Sequence, residues 1–101
     1  MSDADEKRVK INLETARINW HELQTFFAKG QVIFVDDSLD LVQAAYEVSE
    51  DNGQQIKTWM DAGLLGQVSD EQAGRWFEQK RDLWAVVVRP WVLVQEGNQS
   101  E

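Results

Sequence analysis

Cysteine is absent from the chain, and disulfides, thiolate metal sites and cysteine nucleophiles are absent with it. Histidine occurs once, as His21, so a zinc site built on imidazoles lacks its ligands. There is one proline and there are six glycines, and no Pro/Gly/Ser-rich stretch, repeat or low-complexity tract divides the sequence. No Gly-x-Ser-x-Gly elbow is present. The segment Gly63-Leu64-Leu65-Gly66 has too few glycines and no following Lys-Ser/Thr to cradle phosphates, so it reads as a helix cap and turn. No cofactor is expected. The longest apolar run, residues 83–94, is interrupted by Arg89-Pro90 and is too short to cross a bilayer. The first ten residues, MSDADEKRVK, are charged where a secretory leader needs an apolar stretch, so the expectation is a cytoplasmic protein without a membrane partner.

What is present is core-forming material. In 101 residues, 43% are hydrophobic and five are tryptophan, enough for one domain with its own core. The net charge of −8 is unevenly placed. Residues 1–30 carry five acids and five bases, whereas residues 31–66 carry seven acids against Lys57 alone. That acidic middle third repels phosphate backbones and membrane surfaces, so nucleic acid is not an expected partner.

Val9, Leu13, Ala16, Trp20, Leu23 and Phe27 recur every three or four residues, the stripe of a helix. Asn19 with Glu22 forms a capping-box pattern within that stripe, which divides it into helices at about 6–17 and 20–29, or one bent helix. Gly30 ends it. Residues 31–35 (QVIFV) are a strand, and Asp36-Asp37-Ser38 a turn leading to a helix over about 39–50 with Leu41, Val42, Ala45 and Val48 inward. Asp51-Asn52-Gly53 breaks that helix. A short helix over 54–62 follows, presenting Ile56, Trp59 and Met60 and closed by Gly63. Ser69 and Gln72 form a second capping box, opening a helix to about residue 80 with Ala73, Trp76 and Phe77 inward. The stretch LWAVVVRPWVLVQ is strongly β-prone. A tight two-residue hairpin needs positive φ, which Arg89-Pro90 does not supply, so one long kinked strand, or two, is expected to pair with residues 31–35. The fold class is α+β: four to five short helices on a two- to three-stranded sheet, with residues 1–5 and 97–101 as frayed ends.

Few residues point to chemistry. His21 lies opposite the Trp20/Leu23 stripe and reads as an exposed surface histidine with no group to orient it. Asp36, Asp37 and Asp40 are the only candidates for a cation site. Acids before a helix and in its first turn are also what its dipole favours, and capping is the simpler account. Trp20, Trp59 and Trp76 sit on apolar helix stripes and read as core. Trp84, Trp91 and Leu93 lie on a strand apolar on both faces, which a small domain has few helices to cover. They are the interface candidates, for a protein partner or a second copy in a homodimer. One further pattern, Val48-Ser49 followed by Ile56-Lys57-x-Trp59-x-x-x-Gly63-Leu64-Leu65, resembles the helix-turn-helix of mercury-resistance-type winged-helix regulators. It offers Lys57 where phosphate contacts need several bases, and residues 39–66 carry five acids.

As a whole, the chain resembles a bacterial family catalogued as domain of unknown function 2288. The resemblance rests on INWHELQTFFAKGQ (18–31), DSLDLVQAA (37–45), Trp59-x-x-x-Gly63-Leu64 and LWAVVVRPWVLVQE (83–96). It implies a bacterial cytoplasmic protein and carries over no activity or ligand. The function these readings favour is a non-enzymatic interaction module. The alternatives are a degenerate winged-helix nucleic-acid binder at residues 48–65 and a carboxylate-dependent metal site or enzyme.

Overall fold

In the computed structural model, which describes residues 3–97, the order of elements is α1 (Asp3–Glu14), β1 (Ala16–Asn19), α2 (Trp20–Ala28), β2 (Val32–Val35), α3 (Leu41–Ser49), α4 (Gly53–Asp61), β3 (Leu65–Gln67), α5 (Asp70–Gln79), β4 (Asp82–Val88) and β5 (Trp91–Gln95). Helices α2 to α5 start where side chains accept orphan N–H groups. Asn19 accepts from His21, Asp40 from Val42 and Gln43, Asn52 from Gln55, and Ser69 shares a full capping box with Gln72. From α2 onward they also end alike. Gly30, Asp51, Gly63 and Lys80 take left-handed φ of 71°, 57°, 77° and 50°. In each case the following N–H reaches back: Gln31 to Phe26, Asn52 to Glu47, Leu64 to Trp59, Arg81 to Trp76. These are Schellman closures.

The fold is α+β, but its mixed sheet has five strands in the order β1-β4-β5-β2-β3, more than the two or three expected. Only β2 and β5 run parallel, which bears out the expected pairing of the C-terminal strand with residues 31–35. The extra strands have specific origins. Residues 16–19 are not the continuation of a helix. They pair with β4, Ile18 opposite Leu83 and Arg17 opposite Trp84, because ladder bonds and burial of Ile18 outweigh a stripe that runs through them by coincidence. Accordingly Val9 and Leu13 are exposed, while Ile11 of α1 is buried. The three-residue β3 pairs with β2.

The kinked strand is in fact a tight hairpin. Val88 pairs with Trp91, and the Arg89-Pro90 peptide bond between them is cis, so a type VI turn closes the loop without positive φ. The turn resets the alternation. Trp84, Val86 and Val88 share a face with Gln95, Leu93 and Trp91, whereas Ala85 and Val87 share the other with Val94 and Val92. Helices cover both faces. On one side, α2 and α5 bring Trp20, Leu23, Ala73 and Trp76 onto Val32, Leu83, Ala85, Val92 and Val94. On the other, Ile11 of α1 and Leu41, Ala44 and Ala45 of α3 pack on Val35, Val86 and Leu93, with Ile56 and Trp59 of α4 beside them. Trp20 and Trp76 meet edge to face at 5.1 Å, as their quadrupoles prefer. Of the expected frayed ends, residues 3–5 open α1, the N–H of Gly97 donates to Asp37 at 3.0 Å, and the others lie outside the described residues.

Candidate functional site

Where α4 passes over the β2–β3 edge, helix and sheet leave a cleft of about 420 Å³. Its floor is Ile33, Leu65, Gly66, Gln67 and Trp91. Val48, at the end of α3, and Ile56 and Met60 of α4 form the wall. Local sequence sets this geometry. The Glu47 carboxylate accepts from Gln43 Nε2 at 2.7 Å and Asn52 Nδ2 at 2.8 Å, fixing the turn between α3 and α4. Gly63 then closes α4 and returns the chain into β3.

The lining is nearly all carbon. Gln67 is its one polar side chain, and its Nε2 already donates to the Gly30 carbonyl at 3.2 Å. No titratable group lines the cleft, so it is shaped to seat apolar groups and offers no proton donor or acceptor of its own. Charge lies around it. Lys57 pairs with Asp61 at 2.9 Å on the outer side of α4, and Lys7 with Glu50 at the α3–α4 turn.

Of the interface candidates, the structure brings Trp91 alone into this cleft, half-buried at the start of β5. Leu93 is 0% exposed beneath α3 and offers nothing to a partner, because the hairpin turns it onto a helix-covered face. Trp84 is on the same sheet face but away from the cleft, its ring under the Arg17 guanidinium at 5.2 Å. Val48, Ile56 and Met60 are readable in the sequence as inward helix positions. Ile33, Leu65, Gly66 and Gln67 are not marked, since nothing in their spacing tells an uncovered stretch of sheet from a covered one.

The three aspartates serve the backbone separately. Asp36 accepts from the Ser38 N–H at 2.9 Å, Asp37 from Gly97, and Asp40 caps α3. The bonds from Ser38 hold the Asp36 carboxyl below the usual carboxylate range. Among the described residues, no three His, Asp or Glu side chains converge on a point that would hold a metal ion. His21 is exposed and stacked on Phe77 with centroids 4.7 Å apart, and it joins no metal-binding group of three with the aspartates. The corner between α3 and α4 exists, but it is built onto a five-stranded sheet rather than into a winged-helix bundle, and Lys57 is already paired with Asp61.

These features define a small α+β protein with an apolar recess at one sheet edge. The chain belongs to the protein family of unknown function DUF2288, whose model matches residues 6–96. It is also similar to PA1075 from Pseudomonas aeruginosa, known from an NMR solution structure. That chain is 40% identical, with a TM-score of 0.79 over 100% of this chain and 89% of the other. No functionally curated protein matches the chain. Among the described residues, no helix is long and apolar enough to cross a membrane. The biochemical function of this family is unknown, and neither likeness brings an activity to the site.

Proposed function

We propose that this protein is a non-enzymatic, cytoplasmic interaction module of bacteria that docks apolar side chains of a protein partner in the cleft at Trp91. The observation that carries this is the cleft itself: about 420 Å³ lined by aliphatic and aromatic side chains, with Trp91 in its floor and no acid or base. Tryptophan in a concave apolar site is the residue type that most often anchors interfaces. The surrounding acidity favours a partner carrying positive charge and disfavours nucleic acid.

Affinity capture from a native bacterial lysate, run in parallel with wild type and Trp91→Glu, tests this. A protein retained by wild type and lost from a folded Trp91→Glu chain is the expected result. Equal retention by both refutes docking at the cleft. Sedimentation equilibrium of the isolated chain distinguishes a foreign partner from a second copy, since self-association through this site appears as a dimer that Trp91→Glu dissociates.

A further inference from the structure

The cleft lies beside an open sheet edge, and the hydrogen-bonding phase of that edge can be read directly. The sheet ends at β3. The Asp36 N–H donates to Leu64 O at 2.9 Å, and Gln31 O accepts from the Val92 N–H at 2.9 Å. Even-numbered residues of β2 therefore bond toward β3, and odd-numbered residues toward β5. In an antiparallel ladder, residues that face the partner alternate with residues that face away. On β3, Leu64 and Gly66 face β2, so the backbone N–H and C=O groups of Leu65 and Gln67 point out of the sheet. The side chains of these same two residues line the cleft. β3 is the last strand on that side, so no strand pairs with these outward groups.

We infer that β3 is a strand-addition site: an extended segment of a partner protein pairs with its outer edge and places alternate apolar side chains in the cleft. Residues directly across a ladder share a face, so those opposite Leu65 and Gln67 point into the recess. Backbone bonds supply affinity and the cleft supplies selection, as in other cases of β-augmentation. Charge specifies one flank of that segment. Asp70 and Glu71 follow β3, exposed and in no ion pair among the described residues, whereas Asp61 before it is paired with Lys57. The segment therefore carries Lys or Arg where it passes Asp70 and Glu71. A second copy of this chain would set these acids against their like and is not the occupant.

This inference rests on the cleft being a docking site, and one experiment separates the two. Peptides are selected from a displayed random library against the full chain at low ionic strength, and their affinities are measured for wild type and variants. Selected peptides are expected to alternate apolar and polar residues, with Lys or Arg at the flank that meets Asp70 and Glu71. Gln67→Pro removes an outward N–H without touching the β2–β3 ladder, and is expected to weaken them roughly tenfold, the worth of about one good hydrogen bond. Gln67→Ala keeps the N–H and loses the same side chain, so it is the reference against which the loss in Gln67→Pro is read. In wild type, peptide slows hydrogen exchange at the Leu65 and Gln67 amides, a readout that holds even if Gln67→Pro fails to fold. Peptides with apolar residues spaced three and four apart, or exchange at those amides unchanged by bound peptide, overturn strand addition and leave docking standing. Peptides that bind Trp91→Glu as well as wild type, or no enrichment at all, overturn both.

Discussion

The same backbone seat is occupied by glycine at the end of α4 and by lysine at the end of α5, which allows one energetic trade to be run in both directions. Gly63 and Lys80 each take the left-handed position of the Schellman turn that closes their helix, with φ of 77° and 50°. Left-handed backbone costs a residue with a Cβ about 1–2 kcal/mol. Glycine avoids that strain but brings a more flexible unfolded chain, worth about 0.4–1 kcal/mol in the other direction. Lys80→Gly therefore stabilises by about 0.5–1 kcal/mol, and Gly63→Ala destabilises by about the same amount. Neither change is confounded by contacts. A Cβ on Gly63 meets nothing within 4 Å, and Lys80 is exposed, with no ion pair of its ammonium among the described residues. For a chain of this length, the two melting temperatures move apart from wild type by roughly 3–6 °C, upward for Lys80→Gly and downward for Gly63→Ala. Thermal denaturation followed by circular dichroism reads both. Shifts of the same sign, or a destabilised Lys80→Gly, refute the Schellman account of these helix ends.

Three further outcomes follow from the packing and the acidic turn. Leu93→Ala costs about 2–5 kcal/mol, because Leu93 is fully buried between β5 and α3; a urea-unfolding loss below about 1 kcal/mol would put Leu93 at the surface. Since Asp36 is held below its ordinary pKa, its contribution is complete above about pH 4 and is lost as pH falls through the lowered value. Wild type should accordingly lose more stability on acidification than Asp36→Asn, and parallel acid titrations of the two would contradict this. Melts in EDTA and in added Mg²⁺, Ca²⁺ or Mn²⁺ should superimpose, because Asp36, Asp37 and Asp40 each serve a different backbone N–H. A cation-dependent rise abolished by Asp36→Asn or Asp40→Asn would establish a site there.

Much of the helical structure was legible one residue at a time. Gly30, Gly63, Asn19 and the Ser69–Gln72 box mark helix ends in the sequence and do so in the structure, because caps are local: the side chain that satisfies an orphan group lies within a few residues of it. The burial of Trp20 and Trp76, the five helices and the pairing of residues 31–35 with the last strand were readable for related reasons of periodicity and β-propensity.

Partners distant in the chain settled the rest. Ala16–Asn19 carries a helical spacing and becomes a strand because β4, more than sixty residues away, offers it a ladder. Val9 and Leu13 lose their place in the core by the same event. Which residues of the final strands share a face is set by the pairing of Val88 with Trp91, since a hairpin reverses which residues alternate together. That reversal buries Leu93 and leaves Trp91 at the cleft. Sequence by itself determined where α2 to α5 lie, where they stop and how acidic the chain is. Tertiary pairing alone decided the five-stranded sheet, its open β3 edge and the recess beside it, because a cleft is a property of the space between elements, which spacing along one chain does not encode.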